Sequence, residues 1–222
     1  MENEVAIYTP LSLIGYLRAK VPNNILNDLN YKVNDIIANN FNNASAYNFN
    51  LAGIIEHEVF LNDVELLTPF VLNLSRIFWE FEYNYENANK VHKLDSAWIN
   101  FQKKYEHNPL HKHDGNLSFV IWLKIPFDLN NERKFSSAKN SNFANETASF
   151  AFIYNDVSNE TSSNSMGVHT HCIPINKNVE GHIILFKSSL HHLVYPFYTS
   201  DEYRISVAGN IRIETRNVFD YN

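Results

Sequence analysis

Gly181-His182-Ile183-Ile184-Leu185-Phe186-Lys187-Ser188-Ser189-Leu190-His191-His192-Leu193-Val194-Tyr195-Pro196 is an apolar run, a polar turn and a second apolar run that stops at proline. Two short strands joined by a tight connection fit this pattern, and Arg204-Ile205-Ser206 opens another strand shortly afterwards. The same texture recurs upstream from about Ser96, in Ala97 to Gln102, Leu117 to Ile125, Ser149 to Tyr154 and Gly167 to Ile173. With His182 to Phe186, His192 to Phe197 and Tyr203 to Ile213 this makes seven β-rich runs separated by polar loops. Strands of this length and spacing predict a mainly β fold, a sandwich or jelly roll.

Towards the amino terminus the period lengthens. Thr9-Pro10 has the look of a helix cap with proline in the first turn, and Leu13, Ile14 and Leu17 would share one helical face. Leu26, Leu29, Val33, Ile36 and Ile37 repeat that spacing, as do Leu67, Phe70, Val71, Leu74, Ile77, Phe78 and Phe81. The expectation is a single domain of residues 1–222, with amphipathic helices in 1–95 packed on a β core in 96–214. Between the helices, Ile54, Ile55, Val59 and Phe60 suit a strand that could extend a sheet edge. Two loops rich in Asn and Ser, 128–147 and 156–165, are the candidates for an active-site lid.

A hydrophobic content of 45% in 222 residues is enough to bury a core without external staples. The formal charge of −6, with no basic block, lacks the electrostatic footprint of a nucleic-acid binder. A single cysteine, Cys172, excludes an internal disulfide and any multi-thiolate zinc site, and fits a reducing compartment. The acidic start Met1-Glu2-Asn3-Glu4 leads to no long apolar run, so neither a secretory leader nor a membrane span is expected, and the reading is cytoplasmic.

Histidine gathers in the carboxy-terminal half, and Asn108-Pro109-Leu110-His111-Lys112-His113-Asp114-Gly115 is the segment that stands out. Residues two apart in an extended chain face the same way, so His111 and His113 can offer both imidazoles to one metal ion while Lys112 points away. Such a pair alone suits a polar loop as well. Arg204 and Ser206 share one face of a strand and can clamp a carboxylate through charge-assisted bonds. Ile205, Val207 and Ala208 mark that strand as buried, against the alternative of a surface ion pair for Arg204. Asn100 and Gln102 lie on one face of the first core strand and are placed in a pocket, whereas Trp98 and Trp122 are read as core. His169 and His171 form a second pair two apart, read as neutral histidines on a partly exposed strand.

Taken in order, Ala97-Trp98-Ile99-Asn100, Asn108 to His113, Leu117-Ser118, Glu180-Gly181 with Leu185-Phe186, Leu190 to His192 with Val194 and Pro196, and Arg204-Ile205-Ser206 with Asn210 resemble a known family. It is the 2-oxoglutarate-Fe(II) oxygenase family common in marine bacteria and their phages, related to prolyl 4-hydroxylases. The likeness runs from about Leu51 to Ile213 and implies a double-stranded β-helix, that is a jelly-roll core, in an enzyme of the cytoplasm. It further implies Fe(II), 2-oxoglutarate and O2 as cofactor and co-substrates, hydroxylation of a small-molecule or peptide substrate, and decarboxylation of 2-oxoglutarate to succinate. By the same resemblance His111, His113 and His192 would hold the metal. Arg204 and Ser206 would grip the distal carboxylate of 2-oxoglutarate, with Asn100 and Asn210 counted alongside.

One departure stands out. The wider superfamily places a carboxylate two residues after the first histidine, where this chain has His113, and Asp114 comes one residue late. Three imidazoles, a turn that brings Asp114 inward, or two histidines with water in the third position all satisfy the pattern. With an imidazole there, the metal centre keeps one more positive charge, which a dianionic co-substrate offsets. Cupin-type metal-dependent isomerases or hydrolases and non-catalytic jelly-roll binding modules would use the same histidines, but neither needs the Arg204-Ile205-Ser206 clamp.

Overall fold

Alternation along four long strands decides the architecture of the computed structural model, which describes residues 5–11, 14–83, 89–135, 139, 144–155 and 168–216. These strands are β4 (Lys90–Gln102), β6 (Leu117–Lys124), β9 (His182–Lys187) and β11 (Arg204–Thr215). Successive side chains of a strand point to opposite faces. Ile99, Phe101, Phe119, Ile121, Ile183, Leu185, Ile205 and Val207 therefore share one core, while Val120, Trp122, Ile184 and Phe186 belong to another.

The first core is closed by two helices, α1 (Asn23–Ala38) and α2 (Leu67–Tyr83), as their periodicity predicts. Ile25, Leu29 and Val33 of α1 and Leu67, Val71, Leu74 and Phe78 of α2 are buried against the sheet. The second core lies between this sheet and a smaller one. The smaller sheet holds β5 (Asn108–His111), β7 (Ser149–Asn155), β8 (Val168–Pro174) and β10 (His192–Val194), in the order β5-β10-β7-β8. The larger sheet adds β1 (Val5–Leu11), β2 (Ile14–Lys20) and β3 (His57–Phe60), in the order β1-β2-β9-β6-β11-β4-β3, and every pairing between named strands is antiparallel. This is a mainly β jelly roll with amphipathic helices on the outer face of its larger sheet. A short helix, α3 (Leu129–Lys134), is capped by the Asp128 carboxylate, which accepts from the N–H groups of Asn130 and Asn131.

The structure corrects the expected amino-terminal helix around Thr9-Pro10. Val5–Leu11 and Ile14–Lys20 are strands, and β2 pairs with β9 from Tyr16↔Phe186 to Lys20↔His182. Leu17 and Ala19 join the helix-side core while Tyr16 turns to the other one, a period of two rather than of 3.6. The edge that β9 would otherwise leave open offers a full ladder of backbone partners, and this overrides local helix propensity. Strands therefore occur within 1–95 as well as helices, and β4 begins at Lys90. Leu13, the whole of the 156–165 loop and residues 136–138 and 140–143 of the other candidate lid lie outside the described residues. The ambiguous stretch near Val59 is β3, at the edge of the large sheet.

Candidate metal and carboxylate site

Three histidines meet in the cavity that the two sheets line. β5 ends on His111, the chain turns through Lys112 to His113, and β10 begins on His192 directly opposite His111. The ligand atoms of the three imidazoles all lie within 4.8 Å of one another. Asp114, the alternative for the third place, is exposed and outside this cluster. His191 is exposed on the other side of the strand start, as its neighbour's inward turn requires.

Backbone carbonyls set the tautomers. His111 Nδ1 donates to the carbonyl of Pro109 at 2.6 Å, and His192 Nδ1 donates to that of Leu190 at 2.9 Å. A carbonyl can only accept, so in both rings the proton sits on Nδ1 and Nε2 keeps a free lone pair. His192 Nε2 stands 3.1 Å from His113 Nε2, so the third ring converges on the same point. Burial, more than repulsion from the other rings, holds His192 well below the usual histidine range and His113 down at about 4, and burial also lowers His111. All three are neutral at pH 7, the state in which imidazole binds a metal. The donor set suits Fe(II), which imidazole nitrogens hold readily.

Packing fixes the rings further. Phe150 stacks on His192 at 5.3 Å between centroids, Phe186 meets it edge-on at 4.9 Å, and Trp98 lies 5.6 Å from His113. The backbone N–H of His113 donates to the carbonyl of buried Ser188 at 3.0 Å. The Ser188 hydroxyl meets that of Ser118 at 2.8 Å, and Ser118 donates to Asn210 Oδ1, also at 2.8 Å. Asn210 thus stands on the site side of β11 but is not among the residues that line the cavity. Its amide is taken up by Ser118 and Ser96. It reaches the histidines only through this relay.

Arg204 lines the same cavity, together with Asn100, Gln102, Trp98, Trp122 and Ser206. It is 2% exposed. Its guanidinium donates to Gln102 Oε1 at 2.7 and 3.1 Å and to the carbonyl of Tyr195 at 2.9 Å, with the rings of Phe127 and Phe197 alongside. Among the described residues no carboxylate stands within ion-pair distance, though buried Glu132 exerts a longer-range attraction. Burial lowers the Arg204 pKa to about 9, which leaves the group charged at pH 7. A buried cation that faces only neutral acceptors is costly unless an anion joins it. Ser206, two residues on along the same face, accepts from Asn100 Nδ2 at 3.2 Å. Arg204 with Ser206 therefore fits the carboxylate of a co-substrate, and the histidine cluster fits its metal.

His169 and His171 do not join the cluster; His171 Nε2 lies 3.4 Å from the Tyr16 hydroxyl and His169 stacks on Tyr154. Trp98 and Trp122 are buried as expected and also wall the cavity. Sequence reasoning passed over Glu58, a buried carboxylate on β3 that faces the cavity. Glu58 stands in the polar triplet Glu56-His57-Glu58 between Ile55 and Val59, and nothing in that triplet marks which of the three turns inward.

The chain is similar in fold to a prolyl-4-hydroxylase from Pseudomonas putida, with a TM-score of 0.52, 12% identity, and coverage of 93% of this chain and 95% of that one. It is similar again to SnoN, a non-haem α-ketoglutarate-dependent epimerase of nogalamycin biosynthesis, with a TM-score of 0.51, 10% identity, and coverage of 94% and 84%. No curated protein matches it in sequence. Residues 96–210, which carry all three histidines, Arg204 and Ser206, match the family described as "Putative 2OG-Fe(II) oxygenase". The chain belongs to the 2OG-Fe(II) oxygenases, the enzymes that work with Fe(II), 2-oxoglutarate and O2.

Proposed function

We propose that this chain hydroxylates a small-molecule or peptide substrate, with His111, His113 and His192 as the iron ligands and Arg204 and Ser206 as the seat of 2-oxoglutarate. The observation that carries the reading is one cavity lined both by three neutral, converging imidazoles and by a buried cation with no carboxylate partner among the described residues. When bound, Fe(II) and 2-oxoglutarate supply the oxidising power that places one oxygen atom of O2 in a substrate C–H bond, with succinate and CO2 as the other products.

The protein's part is orientation and exclusion of water. Nδ1–H bonds to Pro109 and Leu190 keep the Nε2 lone pairs of His111 and His192 aimed at one point. Arg204 and the Ser206 hydroxyl hold the distal carboxylate, and Gln102 fixes the guanidinium plane from the side. The dianion brings negative charge to a metal centre whose ligands are all neutral. Trp98, Phe119, Trp122, Phe150 and Phe186 wall the cavity and keep it dry. Asn210 acts at a distance, as a positioning residue for the His113 turn.

Anaerobic titration with Fe(II) and then 2-oxoglutarate tests this reading by the visible charge-transfer band of the bidentate keto-acid chelate. The band is expected only with both additions. Arg204→Ala should raise the 2-oxoglutarate needed for half-saturation at least tenfold while Fe(II) binding persists. Iron bound with no band would turn the site towards metal-dependent isomerisation or hydrolysis. An absence of iron binding would leave a barrel used for recognition.

A further inference from the structure

The large sheet carries a row of cavity-facing side chains across three neighbouring strands. Glu58 on β3 is paired with Asn100 on β4, and Asn100 with Ser206 on β11. All three line the cavity that holds the histidines and Arg204. Glu58 is 1% exposed, and neither of its carboxylate oxygens has a hydrogen-bond partner among the described residues. The buried Oδ1 of Asn100 is unpartnered too, while its Nδ2 donates to Ser206. Three acceptors thus stand together with no donor to meet them, and no described cation pairs with Glu58. The Arg204 nitrogens are engaged by Gln102, Tyr195 and Ala148.

We propose that Glu58 and Asn100 form a cation subsite of the cavity, and that the substrate carries an ammonium or guanidinium group that docks there. The assignment rests on the oxygenase reading of the cavity and names the class of substrate. A buried carboxylate without a donor is unfavourable, and a ligand with several N–H groups on one positive charge removes that cost more fully than a lone hydroxyl. Glu58 refuses an anion and Arg204 receives one, so charge sorts substrate from co-substrate within the one cavity. Burial, with a smaller repulsion from Glu106, pushes the Glu58 acid up to about 7, so the group is ionised when a cation arrives at slightly alkaline pH. The loop over it is shaped to fit. Leu51 and Ala52 line the cavity, and a side chain at Gly53 would run into the Glu58 carboxylate and the Asn108 amide.

The test uses the full chain loaded anaerobically with Fe(II) and 2-oxoglutarate at pH 8. n-Butylammonium and n-butylguanidinium are titrated against n-butanol of matched size, with fluorescence of Trp98 and Trp122 as the readout. The cations are expected to saturate at concentrations at least tenfold below the alcohol. Glu58→Gln should abolish that preference and leave the charge-transfer band unchanged. Gly53→Ala, which crowds the carboxylate without altering charge, should weaken the cations in the same direction and decides the matter if the first variant does not fold. Equal binding of alcohol and cation, or cation binding unaffected in both variants, overturns the subsite. A missing charge-transfer band together with intact cation preference would instead sink the assignment of the iron and co-substrate residues and leave the subsite standing.

Discussion

Glu58 and the histidines are buried ionisable groups pushed in opposite directions by the same desolvation. Burial raises the Glu58 pKa from 4.5 to about 7, so the folded state favours the protonated acid. That contribution to stability is complete below pH 4.5 and is lost as pH rises through 7. Glu58→Gln mimics the protonated form. The variant should match the wild type near pH 4.5 and exceed it at pH 8.5 by about 2 kcal/mol, read from thermal unfolding at both values. Equal melting temperatures at pH 8.5 would show that the carboxylate is solvated. The His111 and His113 pair is legible from spacing alone, since two residues apart on an extended segment means one direction. Glu58 is not legible in that way: its importance depends on which strand pairs with β3 and which face looks inward, and neither is written locally.

At the scale of elements, the Ser118, Ser188 and Asn210 relay ties β6, the start of the turn after β9, and β11 to the His113 backbone. Ser118→Ala breaks it at its centre without touching a proposed ligand. Fe(II) affinity should fall about tenfold, in line with other supporting shells of metal sites, while the far-ultraviolet circular dichroism spectrum stays that of the wild type. A calorimetric titration gives the number, and an unchanged affinity would mean that packing alone positions His113. The helices α1 and α2 and the strands from Leu117 onward follow from periodicity in the sequence. The hairpin of β1 and β2 does not, because Ile14 and Leu17 also satisfy helical spacing. Its strand character comes from the edge of β9, more than 160 residues away in the chain. Asp114 shows the same limit in miniature: it stands exposed, and the direction of its side chain depends on where β5 ends, at His111.

For the whole molecule we propose one cooperative domain. β1 to β3 share the large sheet with β4, β6, β9 and β11, and both helices close the core on its outer face, so residues 1–95 pack into the same core as the rest. Urea unfolding followed by tryptophan fluorescence and by circular dichroism should give coincident transitions. A separate early transition would divide the chain. No described helix is long and apolar enough to cross a membrane. The strand pairings also impose an order on biosynthesis. β2 pairs with β1 at once but with its second partner, β9, only late, and β4 lies between β3 and β11, so most of the large sheet waits for segments translated late. A nascent chain of this protein carries the apolar faces of α1, α2 and β4 uncovered for most of its translation. Its yield in a cell is therefore governed by whatever shields those faces on the ribosome, as much as by the stability of the finished barrel.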